Sequence, residues 1–99
     1  MDYQVVWTKT AREDLRQLVS YIAEDNPQAA EKFGLAIVEK IESAGIYPRA
    51  GKIVPEEKDE NLRELPYSPY CLIYEIHDDI SVIYVLRIWH AYRGKPQLN

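Results

Sequence analysis

Hydrophobic positions along this chain change their spacing twice, and each change predicts a new kind of element. The run "YQVVW", residues 3–7, is rich in aromatic and β-branched side chains, as short strands are. Thr10 followed by Glu13 predicts a capping box at the start of a first helix, with Thr8 as the alternative N-cap. One face of that helix carries apolar residues at helical spacing: Ala11, Leu15, Leu18, Val19, Ile22 and Ala23.

A second helix is predicted for "DNPQAAEKFGLAIVEKIESAG". Asn26 is a suitable N-cap and Pro27 fits the first helical position, while Gly45 is the predicted C-cap and Pro48 prevents the helix from resuming. Because Asp25 and Asn26 leave almost no loop, the two helices must form an antiparallel hairpin. The apolar stripe of the second helix consists of Ala30, Phe33, Ile37, Ile41 and Ala44.

The second half of the chain changes to strand-like spacing. Residues 46–61 form a charged connection with a short predicted strand at 52–54. The segments "LRELPY", "YCLIYEI" and "ISVIYVLRIW" predict three further strands, and Asp78 and Asp79 predict a tight turn before the last. The order is therefore β-α-α-β-β-β, an α+β fold in which a helical hairpin packs on a small antiparallel sheet, in one domain over residues 1–99.

Composition narrows the class of protein. Of the 99 residues, 46% are hydrophobic and 28% are charged, which is typical of a folded domain. No apolar run approaches the roughly 20 residues of a membrane span, and "MDYQVVWTKT" lacks the pattern of a signal peptide. A single cysteine cannot form an internal disulfide. We therefore expect a cytoplasmic protein that does not associate with membranes.

Charge is unevenly spread. The net charge is −4 and the sequence pI is about 5.1, a poor match to a protein that coats nucleic acid. Residues 1–61 carry 12 acidic and 8 basic side chains, whereas residues 80–99 carry Arg87, Arg93 and Lys95 and no acid. These three residues predict a local positive patch at one end of an acidic protein.

Common catalytic and binding motifs are absent from the sequence. It contains no Gly-rich dinucleotide motif, no P-loop, no C-x-x-C and no H-E-x-x-H. His77, His90 and Cys71 are too few and too scattered to predict a metal site, so we expect neither a metal nor a cofactor. Trp7 and Trp89 are predicted to serve packing.

Several blocks, taken in order, resemble the ParE/RelE superfamily, the toxins of bacterial type II toxin–antitoxin pairs. They are Trp7 to Leu15 with Thr8, Ala11 and Asp14, then "YIAEDNPQAA", "YPRAG", "LRELPYSPYCLIYEI" and "RIWHAYR". The resemblance covers nearly the whole chain. It implies the same β-α-α-β-β-β fold that the patterns predict.

Cys71 departs from that resemblance. In many relatives the segment matching "PYCLIYEI" has arginine at the position of Cys71. In RelE-like members, which cleave messenger RNA on the ribosome, that arginine stabilises charge on the scissile phosphate. Cysteine supplies neither the charge nor the reach, so Cys71 is predicted to be a half-buried packing residue.

The remaining candidates for RelE-like chemistry are Arg63, Arg87, His90, Tyr92 and Arg93. The resemblance implies phosphate stabilisation or proton transfer near "HAYR", where His90 is a candidate general acid or base. Arg63 more often supports the sheet. For contact with a target, the basic residues Arg87, Arg93 and Lys95 are the candidates.

Three functions follow from the resemblance. We favour a ParE-like toxin that binds DNA gyrase and needs no catalysis of its own. The alternatives are a RelE-like ribosome-dependent mRNA endoribonuclease and a toxin fold that survives only as a binding protein. Each implies a cognate antitoxin, with a segment expected in the groove between the hairpin and the sheet, and no sequence-specific DNA binding by the toxin alone.

Overall fold

The computed structural model describes residues 2–55 and 57–98. Its elements in chain order are β1 (Gln4–Trp7), α1 (Lys9–Asp25), α2 (Pro27–Ile46), β2 (Lys52–Ile53), β3 (Leu62–Tyr67), β4 (Tyr70–His77) and β5 (Val82–His90). Short 3₁₀ turns lie at Pro48–Ala50 and Ala91–Arg93. The predicted order β-α-α-β-β-β is confirmed, and β2 lies where the sequence predicted a short strand.

The five strands form one sheet in the order β1-β5-β4-β3-β2. Strands β2 to β5 pair antiparallel as a meander, but β1 pairs with β5 in parallel. The sheet is therefore mixed and not wholly antiparallel as expected. Hydrophobic spacing could not reveal this, because an apolar strand has the same pattern in both directions.

Two helix boundaries differ from the predicted ones. Thr8, not Thr10, caps α1, because its hydroxyl accepts from the Ala11 N–H at 3.2 Å and also donates to the Val85 carbonyl at 2.8 Å. Helix α2 continues through Gly45 to Ile46. Gly45 lies where α2 meets the N-terminal segment, since its carbonyl accepts from the Tyr3 N–H at 2.7 Å.

The turn between β4 and β5 also differs. It spans residues 78–81, and its left-handed residue is Ser81, with φ of 53°, instead of either aspartate. Asn26 behaves as predicted, since its side chain accepts from the Ala29 N–H at 3.0 Å.

The main core lies between the hairpin and one face of the sheet. The α2 residues that face the sheet are 0–2% exposed; they are Ala30, Ile37, Ile41 and Ala44. On α1 only Ala11 is fully buried, and the rest of its apolar stripe is half-buried. These side chains fill the interior between the hairpin and the sheet.

The other face of the sheet carries a smaller apolar cluster. Val54, Leu62 and Ile73 are buried there, and Cys71, Leu86, Trp89 and Leu98 pack against them. Opposite the step from Ile73 to Tyr74, strand β5 has one extra residue, Leu86. Among the described residues, no helix combines the length and apolar character needed to cross a membrane.

Candidate functional site

A depression of about 320 Å³ opens on the sheet face away from the helices. Its walls come from β2, β3, β4, the end of β5 and the C-terminal tail, and they include Glu64, Pro66, Cys71, Trp89 and Pro96. The Cys71 thiol lies within 3.5 Å of the Trp89 carbonyl oxygen. This is the place where the resemblance puts an arginine.

The charges in the depression balance. Lys52 Nζ lies 3.4 Å from the Glu64 carboxylate, whose side chain is 15% exposed. No arginine is among the described residues that line the depression. A phosphate placed there would meet a thiol, a carboxylate and an already paired ammonium group, so its negative charge would gain little stabilisation.

Arg63 lies on the opposite face and is used by the fold. Its Nε donates to the Glu60 carbonyl at 2.7 Å, and its Nη1 donates to the Gly51 carbonyl at 3.1 Å. Beside it the buried Tyr74 hydroxyl donates to the Pro48 carbonyl and accepts from the Gly51 N–H at 3.1 Å. Arg63 therefore holds the connection between α2 and β3 against the sheet.

Arg87 is also held within the fold. Its Nε and Nη2 donate to the two carboxylate oxygens of Asp14 at 2.9 and 3.0 Å, and the same carboxylate accepts from the Ile88 N–H at 3.0 Å. The side chains of Arg87 and Asp14 are 19% and 14% exposed. The hydrogen bonds that Arg87 donates to Asp14 raise the pKa of Arg87 above its ordinary value. Arg87 thus forms a structural ion pair with Asp14, and its charge is largely neutralised within the fold.

The Asp14 carboxylate also has a role in the backbone hydrogen bonding of β5. Strand β1 pairs with β5 only as far as Trp7 opposite Val85, so the next part of β5 lacks a neighbouring strand on that side. The Asp14 carboxylate on α1 supplies the missing acceptor for the Ile88 N–H. The sequence contains a signal for this contact, since Asp14 lies beside Ala11 and Leu15 on the apolar face of α1.

His90 and Tyr92 lie together at the end of β5. The His90 Nδ1 accepts from the Tyr92 N–H at 3.2 Å, and its ring packs edge-on to Tyr70 with centroids 5.5 Å apart. Tyr70 packs in turn against Phe33 of α2. Tyr92 is 83% exposed. This contact with Nδ1 leaves Nε2 as the ring nitrogen that carries the proton in neutral His90.

Two of the three basic residues of the predicted positive patch lie close to acids. Lys95 Nζ lies 3.7 Å from the Glu57 carboxylate, and Arg87 is paired with Asp14. Arg93 is exposed and makes no ion pair with any residue that the structure describes. Residues 80–99 contain no acid, but the fold brings acids to them from Asp14 and Glu57, far away in sequence.

The C-terminal tail folds back over the open face of the sheet. Trp89 Nε1 donates to the Gly94 carbonyl at 3.1 Å, and Arg87 Nη1 donates to the Gln97 carbonyl at 2.8 Å. Leu98 joins the apolar cluster on that face. The tail therefore fixes the exposed tip that we define as His90, Tyr92 and Arg93.

The fold groups only part of the candidate set for RelE-like chemistry. Among the described residues, no three His, Cys, Asp or Glu side chains approach one another as metal ligands would. Of the five RelE-like candidates, the fold brings His90, Tyr92 and Arg93 together and separates Arg63 and Arg87 from them.

Comparison with known proteins gives a consistent picture. Residues 5–93 match the family model described as the ParE toxin of the type II toxin-antitoxin system parDE. Toxin RelE2 of Caulobacter vibrioides is 34% identical over 91 residues, covering 91% of this chain and 97% of that protein. Putative toxin Y4kP of Sinorhizobium fredii is 28% identical over 97 residues, covering 96% and 95%.

Solved structures share the fold. A chain of the chromosomal ParDE system from P. aeruginosa has a TM-score of 0.72 at 23% identity, over 89% of this chain and 95% of that one. A chain of the toxin-antitoxin complex RelBE2 from Mycobacterium tuberculosis has a TM-score of 0.65 at 27% identity, over 91% and 99%. A mutant of E. coli toxin RelE in the free state has a TM-score of 0.62 at 18% identity, over 95% and 88%.

Proposed function

The chain belongs to the ParE toxin family of type II toxin–antitoxin systems, and we propose that it stops growth by binding DNA gyrase and not by cutting messenger RNA. The observation that carries this proposal is the pocket at Cys71, whose described lining contains no arginine. In-line attack on RNA builds negative charge on phosphate oxygens, and a fixed guanidinium can donate two hydrogen bonds to that charge. Arg63 and Arg87 do not replace it, because both are held by the fold.

Binding of a target requires only an accessible contact surface. The tip of His90, Tyr92 and Arg93 is such a surface, since Tyr92 is 83% exposed and Arg93 keeps its charge free of any described acid. Arg93 is therefore the main candidate for target contact, ahead of Arg87 and Lys95, whose charges are paired.

A supercoiling assay with purified gyrase, run beside a ribosome-dependent mRNA cleavage assay, tests the proposal. We expect inhibition of supercoiling and no cleavage. In a growth-arrest assay, Arg93→Ala should lose toxicity while His90→Ala keeps it. Cleavage of mRNA by the wild type, lost in His90→Ala, would overturn the gyrase proposal.

Messenger RNA cleavage is the second candidate function. It is favoured by the tip itself, where an imidazole, a phenol and a guanidinium lie together, and by the similarity to a protein named RelE2. A protein inactive in both assays would instead fit the third candidate, a toxin fold that only binds.

We also propose a cognate antitoxin as partner and the cytoplasm as the site of action. Two structures of similar fold come from a ParDE system and a RelBE2 toxin-antitoxin complex, which supports such a partner here. Co-expression with the product of the neighbouring reading frame is the test. If that product neither co-purifies nor restores growth, the partner proposal fails.

A further inference from the structure

Helix α2 carries a second apolar stripe outside the face that packs on the sheet. Leu35 is 58% exposed, Val38 is 37% exposed and Ile46 is 52% exposed. At 100° per residue these three positions lie within about 80° of arc, whose centre is about 140° from the buried Ile37 and about 100° from the buried Ile41. Large apolar side chains exposed in a row on one helix are typical of a contact surface.

Acidic residues accompany this stripe. Glu31, Glu39 and Glu42 fall on the same outer face of α2, and all three are exposed. None of them makes an ion pair with another residue in the part of the chain that the structure describes. The lysines of α2 lie outside this arc, Lys32 at its border and Lys40 on the other flank.

A shallow depression marks the C-terminal half of the stripe. It measures about 400 Å³ and lies between α2 and the segment before β1. Its apolar walls include Tyr3, Val38 and Ile46. Its charged walls are Asp2, Glu39 and Glu42, with no basic side chain among the described lining residues. An apolar floor with an acidic rim selects an apolar ligand of positive charge.

We propose that this outer face of α2, which we call the α2 stripe, is the docking surface for a basic amphipathic helix of the antitoxin. The inference rests on the proposed antitoxin partner and specifies its contact surface and chemistry. From Leu35 to Ile46 the stripe is about 16 Å long, or three helical turns. A partner helix with apolar residues at i, i+3, i+4 and i+7, flanked by Lys or Arg, matches that length and charge.

A second copy of this chain is a poorer occupant. A symmetric dimer through the α2 stripe would place the same surface on both sides. Glu39 and Glu42 of one copy would then face the acidic stripe of the other, which is unfavourable. We prefer the α2 stripe to the space between hairpin and sheet because the apolar side chains of the stripe are exposed, whereas those between hairpin and sheet are buried.

The test measures binding of the full chain to the protein encoded by the neighbouring reading frame. We expect Glu39→Lys with Glu42→Lys to weaken binding at least tenfold, and Leu35→Ser with Val38→Ser to weaken it about tenfold or more. The matched controls are Glu24→Lys, an exposed acid on α1, and Ile80→Ser, which is 55% exposed at the β4–β5 turn. Both should bind within about twofold of wild type.

The outcomes separate the two proposals. If the wild type forms a complex and all stripe variants bind equally well, the α2 stripe is not the docking surface, although the partner proposal stands. If the wild type forms no complex, both proposals are wrong. If the wild type alone dimerises and Leu35→Ser with Val38→Ser abolishes the dimer, the occupant is a second copy and the inference is overturned. Circular dichroism of each variant verifies that it is folded.

Discussion

The contact between Asp14 and Arg87 gives the sharpest test of how this fold holds its last strand. We expect Asp14→Ala to leave Arg87, only 19% exposed, without its partner and to leave the Ile88 N–H without an acceptor. Removal of one member of a buried ion pair typically costs about 3–5 kcal/mol. Because both side chains keep some contact with water, the low end, about 3 kcal/mol, is the expected loss in the free energy of unfolding.

A loss of this size is easily measured. For a domain of about 100 residues it lowers Tm by roughly 12–24 °C. Asp14→Asn should lose less, since an amide oxygen still accepts from the Ile88 N–H. Urea denaturation of Asp14→Ala, Arg87→Ala and the double variant gives the coupling between the two side chains, expected at about 1–3 kcal/mol.

A matched control lies one residue away on the same helix. Glu13 pairs with Arg16 on the exposed surface of α1, so Glu13→Ala should leave stability unchanged within error. If Asp14→Ala is as harmless as Glu13→Ala, or if the two single losses at Asp14 and Arg87 simply add, the ion pair does not hold β5 and the argument fails.

Three further predictions follow from other contacts. Gly45→Ala should lower the free energy of unfolding by about 1–3 kcal/mol, measured by urea denaturation, because a Cβ would lie 2.8 Å from the Tyr3 carbonyl oxygen. The control is Gly34→Ala in the same helix, whose Cβ would meet Val19 at an ordinary 3.4 Å and which should be neutral or stabilising. Equal effects of the two substitutions would contradict the prediction. Hydrogen bonds from Arg49 and Tyr3 lower the pKa of Asp78. These contacts therefore stabilise the folded protein above about pH 4, and this stabilisation is lost as pH falls through the lowered pKa. The difference in urea midpoint between wild type and Arg49→Gln should shrink towards pH 2, and a constant difference would refute the prediction. Cys71→Ala should cost about 1 kcal/mol in unfolding and leave toxicity within a few-fold of wild type, and a folded variant without toxicity would show that the thiol has a direct role.

Local patterns in the sequence predicted most of the fold. The apolar stripe of α2 at Ala30, Ile37 and Ile41 is fully buried, because a helix face of that width has to be covered. The direction of β1 was missed, and Thr8 was only the second choice of cap after Thr10, for a shared reason. Both depend on β5, whose Val85 pairs with Trp7 and accepts from the Thr8 hydroxyl, and spacing within one segment carries no information about such distant partners.

The candidate site was less predictable for a related reason. Arg87 and Lys95 had no acid nearby in sequence and were expected to carry free charge, yet Asp14 and Glu57 reach them through the fold. An acid on the apolar face of a helix, as at Asp14, is the one local signal that would have indicated a buried partner. The tip with His90, Tyr92 and Arg93 is contiguous in sequence, and that is why it was identified as a group.

The central position of β5 has a consequence for fragments of this protein. Among the described residues, strand β1 at residues 4–7 pairs only with residues 82–85, so the two ends of the domain are closed against each other. A chain interrupted between Ile46 and Val82 would retain the residues of the helical hairpin but expose its apolar face, and β1 would have no strand to join. Such fragments should be rapid substrates for proteases, so a frameshift even late in the gene would abolish the toxin completely and would not leave a weakened form.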